Sequence, residues 1–82
     1  MGRKRDHAIE KLRQNHKNVR FVDVDAILIG LGCTKRMKGS HAIYTYPGLN
    51  PITVPYRTPY ILPIYVTHIL QLIEKIEEDN ES

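Results

Sequence analysis

The chain has 82 residues, 41% of them hydrophobic and 26% charged, with a formal net charge of +3. That length admits one thin domain, able to bury only about 60–65% of its unfolded surface, so self-association or a partner is expected to contribute. The composition excludes a disordered polyelectrolyte, the single cysteine excludes an internal disulfide, and no apolar run approaches the ~20 residues of a membrane span.

The charge is unevenly placed. Residues 1–38 hold ten Lys or Arg against four Asp or Glu, and the rest hold two against five. A basic first half suits a polyanion partner, although ordinary solubilising charge gives the same totals. The charged N-terminus lacks a signal-like apolar stretch, and a lone thiol, Cys33, suits a reducing compartment, so a cytoplasmic setting is expected. Cys33 itself reads as a half-buried structural thiol.

Met1–Arg5 reads as a basic arm. A short helix is predicted over residues 6–15, capped by Asp6, with Ile9 and Leu12 as its small apolar edge. Phe21 is expected to be extended. A second helix is predicted from Asp23 to Leu31, where Val24, Ile27, Leu28 and Leu31 form one stripe, Asp23 is the cap and Gly32 the stop. Residues 33–37 are extended and cationic, Gly39 turns the chain, and alternation runs from Ser40 to Tyr46. That alternation sends His41, Ile43 and Thr45 to one face, and Ser40, Ala42, Tyr44 and Tyr46 to the other. After the turn-rich Pro47–Pro51, a third strand is predicted over Ile52–Tyr56, with Pro55 suited to an edge. An irregular crossover leads to a last helix from Pro63 to Glu78, with Val66, Ile69, Leu70, Ile73 and Ile76 as its buried stripe. The expected fold class is α+β, a three-stranded antiparallel sheet packed by helices on one face and open on the other.

Chemistry concentrates around Lys38-Gly39-Ser40-His41. An imidazole has an unperturbed pKa near 6.5 and can accept or donate a proton at neutral pH. RNA carries its own nucleophile, the 2′-hydroxyl, so strand scission needs a proton-transfer group and cations for the charged phosphorane. His41 is the candidate for the first task. Lys35, Arg36 and Lys38 are candidates for the second, joined by Arg57, whose fork can grip two phosphate oxygens. Ser40 is read as a turn hydroxyl available to backbone or phosphate rather than as a nucleophile. Tyr44 and Tyr56 are candidates for base stacking, while Tyr65 reads as a core or interface residue. Each of these residues also has an ordinary structural reading, as strand histidine, solvated cation or core ring. His7, His16 and His68 read as surface residues, and no zinc spacing or phosphate-binding glycine loop is present. A metal-free mechanism without a cofactor is therefore expected.

Together these residues resemble the HicA family of bacterial mRNA interferase toxins. The resemblance rests on Gly32 closing a helix, the basic segment through Arg36 and Lys38, Gly39-Ser40-His41 followed by Tyr44, then Thr53-Val54-Pro55 and a last helix carrying Ile69, Leu70 and Ile73. It covers roughly residues 21–76. It implies a double-stranded-RNA-binding-domain-like fold, His41 as the catalytic residue, Lys38 as a phosphate contact, mRNA as substrate, and a HicB-like antitoxin covering the active face. A homodimer or a toxin–antitoxin hetero-oligomer would follow. Two features depart from the family: many members place a histidine after the valine-proline strand where this chain has Tyr56-Arg57-Thr58, and a helix is added before Phe21. The expected organisation is an arm and accessory helix over residues 1–20, the HicA-like domain over 21–78 and an acidic tail over 79–82. Two other functions suit the same elements, a noncatalytic RNA-binding module and a protein-interaction domain.

Overall fold

A computed structural model of the chain describes residues 3–81, with side chains described from Asp6 to Asp79. The elements run α1 (Arg3–Gln14), α2 (Phe21–Gly30), β1 (Thr34–Lys38), β2 (His41–Thr45), β3 (Ile52–Pro55) and α3 (Pro63–Glu81). This is the predicted order. The three strands form one antiparallel sheet in the order β1-β2-β3. Among the described residues, no helix is long and apolar enough to cross a membrane.

α1 begins at Arg3, so part of the expected arm is helical, and Asp6 stands in the first turn rather than at the cap. Met1 and Gly2 lie outside the described residues. Ile9 and Leu12 are two apolar residues on an otherwise polar helix, yet both are buried in the same core as Phe21, Val24 and Ile69. A 3.1 Å ion pair from Arg13 to Glu77 ties α1 to α3. α1 thus shares the one core with the elements that follow it. The expected acidic tail likewise belongs to α3 as far as Glu81.

α2 starts two residues earlier than predicted. Its N-cap is Arg20, in extended conformation and without a side-chain cap bond, and Asp23 lies in the first turn, 3.5 Å from the Arg20 guanidinium. The physical reason is Phe21. Entering the helix there places it at the start of the buried row Phe21, Val24, Ile27 and Leu28, and core packing outweighs a cap contribution of about 1 kcal/mol. The stop is as predicted. Gly32 has a φ of +105°, the Gly32 N–H donates to the Ile29 carbonyl at 3.0 Å, and the Cys33 N–H donates to the Leu28 carbonyl at 3.0 Å. This paired closure satisfies two terminal carbonyls and turns the chain into β1. It also buries Cys33 more completely than expected, and burial pushes its thiol pKa up.

The β1–β2 register closes on Lys38 opposite His41, with Arg36 opposite Ile43 and Lys35 opposite Tyr44. Only Gly39 and Ser40 lie between, and Gly39 has a φ of +62°. A two-residue hairpin needs positive φ at its first central position, which glycine adopts without a steric cost. β3 is an edge strand ending in Pro55, where a missing N–H costs no ladder bond. Ala42, Tyr44 and Val54 are fully buried toward the helices, and α3 adds the predicted stripe Val66, Ile69, Leu70, Ile73 and Ile76. Among the described residues, no helix covers the opposite sheet face.

Candidate nucleic-acid interface

Directly paired residues of an antiparallel sheet share a face. The register therefore assembles the open face in rows: Lys38, His41 and Pro55 in one, Arg36, Ile43 and Thr53 in the next, Thr34 and Thr45 in the last. Lys38 and His41 are the closing pair of the hairpin, a position that brings Cβ atoms to about 5 Å. Arg36 follows on the same face one pleat away. All three are exposed. Among the described residues, the side chains of Arg36, Lys38 and His41 have no hydrogen-bond or ion-pair partner.

Ser40 occupies the turn, and its carbonyl accepts the Tyr56 N–H at 2.7 Å. That bond brings the start of the β3–α3 segment to the hairpin, so Arg57, exposed and next in sequence, lies at the same end of the sheet. Five predicted residues, Arg36, Lys38, Ser40, His41 and Arg57, thus gather at one end.

The other three do not join them. Lys35 points to the helix side, where its ammonium is 2.9 Å from Asp25 and 5.5 Å from the centre of the Phe21 ring. Its charge is engaged and on the wrong face for a ligand of His41. Tyr44 is 0% exposed, and its hydroxyl donates to Asp25 at 2.6 Å, so the ring has no free face on which a base could stack. Tyr56 is exposed, but it also lies on the helix side and packs edge-on to Phe21 at 5.1 Å. The cause is the same in all three cases: alternation along β1, β2 and β3 turns these positions away from His41.

The Asp25–Lys35–Tyr44 cluster was not anticipated from sequence. Burial pushes the Asp25 carboxyl upward, but the Tyr44 hydroxyl and the Lys35 ammonium outweigh it and leave its pKa below the ordinary value. Burial first, and then the Asp25 carboxylate, push the Tyr44 hydroxyl well above the ordinary tyrosine range. The cluster locks β1 and β2 to α2 and so fixes the plane that presents His41. Thr45 shares the face of His41, as the alternation predicts, and strand pairing adds Thr34 and Thr53 to it.

A shallow cleft lined by Leu49, Pro51, Ile52, His68, Gln71 and Lys75 lies at the far end of the sheet, away from His41. Among the described residues, no three His, Cys, Asp or Glu side chains gather as metal ligands would. The surface is thus an exposed imidazole flanked by unengaged cations on a three-stranded sheet, suited to holding a phosphodiester beside a proton-transfer group. No family model, no curated protein and no solved structure matches this chain.

Proposed function

We propose that this protein is a metal-independent endoribonuclease of the mRNA interferase type, the toxic half of a toxin–antitoxin pair, with His41 as general acid/base. The observation that carries the proposal is the cross-strand pair Lys38–His41 on the open face, with Arg36 beside it and none of the three engaged elsewhere. The family resemblance gains support from position: Gly39-Ser40-His41 and Thr53-Val54-Pro55 lie on neighbouring strands, where His41 faces Pro55 and Ala42 faces Val54. The run α2-β1-β2-β3-α3 also has the element order of a double-stranded-RNA-binding-domain-like fold.

In the proposed reaction His41 takes the proton of the 2′-hydroxyl. The 2′-oxygen forms a bond to phosphorus, and the bond to the 5′-oxygen breaks. A 2′,3′-cyclic phosphate remains on one fragment, and the departing 5′-oxygen takes a proton from solvent. Lys38 and Arg36 offset the charge on the phosphorane oxygens. Arg57 is placed to grip a neighbouring phosphate, whereas it cannot serve as the acid, because a guanidinium keeps its proton.

A noncatalytic RNA-binding role is favoured by one specific feature: among the described residues the open face carries a single imidazole and no second group suited to proton transfer at neutral pH. One assay separates the readings. Purified protein is incubated with single-stranded RNA and a chelator, and the ends are analysed for cyclic phosphate. Cleavage that falls by about 100-fold or more in His41→Ala, with RNA affinity largely kept, is the expected outcome. Intact RNA with the parent protein leaves the binding module. On co-expression, a small antitoxin-like protein should restore growth that the parent arrests, and His41→Ala should arrest nothing.

A further inference from the structure

The aromatic residues are distributed in a way that bears on what the open face recognises. None of the six lies in its rows. Phe21 and Tyr44 are buried, Tyr46 is half-buried against Gly32, and Tyr56 packs on Phe21. Tyr60 precedes Ile61, whose N–H donates to the Val19 carbonyl at 2.8 Å, which draws this segment to the helix side. Tyr65 lies on α3 edge-on to His68. What the open face does offer is two cations, the hydroxyls of Thr45 and Thr53 (that of Thr34 donates to the Thr45 carbonyl at 3.4 Å), the apolar Ile43 and Pro55, and one imidazole.

Proteins that select single-stranded sequence splay the bases and stack them on aromatic or guanidinium planes, in pockets that read base edges. Without aromatic rings in its rows, the face leaves the Arg36 guanidinium as its one stacking plane, and phosphate competes for that group. Arg36 and Lys38 stand two residues apart on one strand face, about 6.6 Å along β1, the scale of one nucleotide step. Threonine hydroxyls are suited to phosphate oxygens and to the 2′-hydroxyl. Ile43 and Pro55 present apolar surface of the kind a ribose covers.

We infer that the open face takes RNA by its sugar–phosphate backbone with the bases turned to solvent, so that the site tolerates any base sequence. The inference rests on the RNA-directed reading above and adds what that reading leaves open, how the substrate is held. Selectivity then comes from the 2′-hydroxyl and from backbone path rather than from base identity. So few cations also imply weak binding with a shallow salt dependence.

The test measures binding of U-, C- and A-homopolymer dodecamers to His41→Ala, so that cleavage does not intervene, and of 2′-O-methyl versions to the parent protein, which retains the imidazole. Within each set, affinities for the three homopolymers are expected to agree within about threefold, and log K should fall against log salt with a slope of about −2.1 for phosphate contacts by Arg36, Lys38 and Arg57. Arg36→Ala and Lys38→Ala should each lower affinity equally for all three sequences and flatten the slope by about 0.7. 2-Aminopurine placed along the RNA should keep its fluorescence on binding. Quenching by a ring, or a preference above tenfold for one homopolymer that survives Lys38→Ala, overturns the inference while leaving RNA cleavage intact. Sequence-tolerant binding without cleavage in the parent upholds the inference and removes the nuclease. No RNA binding at all removes both.

Discussion

Lys35 and Lys38 stand three residues apart on β1, yet the first is tied to Asp25 at 2.9 Å beneath the sheet while the second faces solvent beside His41. The same contrast holds along β2, where Tyr44 is sealed in the core and His41 is exposed. One side of the sheet uses charge and hydroxyl groups to fasten strands to α2. The other leaves the charges of Arg36 and Lys38 exposed and unengaged. The difference teaches that a cationic run in sequence is not one site: a period of two divides it between an engaged face and an exposed one.

Substitutions on the two faces should therefore fail in different assays. The largest stability effect belongs to Tyr44→Ala, which removes a fully buried ring together with the Asp25 hydrogen bond. A loss of about 3–5 kcal/mol is expected in denaturant unfolding, enough to unfold much of so small a domain. His41→Ala, by contrast, should leave the unfolding midpoint within the error of a surface change, about ±0.5 kcal/mol. Equal destabilisation by the two would erase the division between the faces.

Next comes the hairpin turn, which sets the register of both faces. Gly39→Ala keeps the side chain small but places a Cβ on a residue with a φ of +62°. A Cβ built there meets no atom within 4 Å, so the cost should be conformational alone, about 1–2 kcal/mol. If the open face depends on the Lys38–His41 pairing, this variant should lose RNA binding in proportion to any shift of register, read from the backbone amide resonances of β2.

Smaller effects sharpen the contrast most directly. Lys35→Ala should lower stability by up to about 1 kcal/mol, because its ion pair with Asp25 is partly screened. Its RNA affinity should equal that of the parent. Lys38→Ala should do the reverse, leaving stability alone and weakening RNA binding with a shallower salt slope. Comparable effects of the two on RNA would mean that the cations act as one diffuse field.

Much of this division was legible before the structure. The alternation from Ser40 to Tyr46 already separated His41 from Tyr44, and Gly32 and Gly39 marked the two places where the chain must turn. Tyr44 reads as a stacking candidate from sequence even though it shares the face of Ala42, because an aromatic ring does not announce which side is covered. Lys35 was grouped with Lys38 by proximity; only the two-residue turn, by pairing Lys38 with His41, fixes which of the two cations joins the imidazole. The start of α2 was misplaced because Asp23 is a good cap in isolation, whereas the burial of Phe21 depends on tertiary neighbours that no local pattern contains. α1 was set apart as accessory for a similar reason: Ile9 and Leu12 look too few to bury anything until α3 supplies the surface opposite them. Local signals thus located the turns and the faces, and long-range packing decided which face does which work.

The subtlest prediction concerns pH and the fastening beneath the sheet. With burial outweighed by the Tyr44 hydroxyl and the Lys35 ammonium, Asp25 has a lowered pKa in the folded chain, so the unfolded chain binds its proton more readily. Its contribution is therefore complete above the unfolded carboxylate value, about 3.9, and is lost as pH falls through the lower folded value. Tyr44 gives the opposite limb. Burial and the Asp25 charge raise its pKa when folded, so its contribution holds below the unfolded tyrosine value of about 10 and declines as pH rises beyond it. Unfolding midpoints measured across both ranges should show the two limbs. Asp25→Asn should flatten the acid limb relative to the parent. Tyr44→Phe should abolish its part of the alkaline limb while only reducing the acid one, since Lys35 still holds the Asp25 charge. An acid limb unchanged in Asp25→Asn would mean that the carboxylate contributes no net proton linkage, and that the sheet is held to α2 by the buried Tyr44 ring and its apolar neighbours alone.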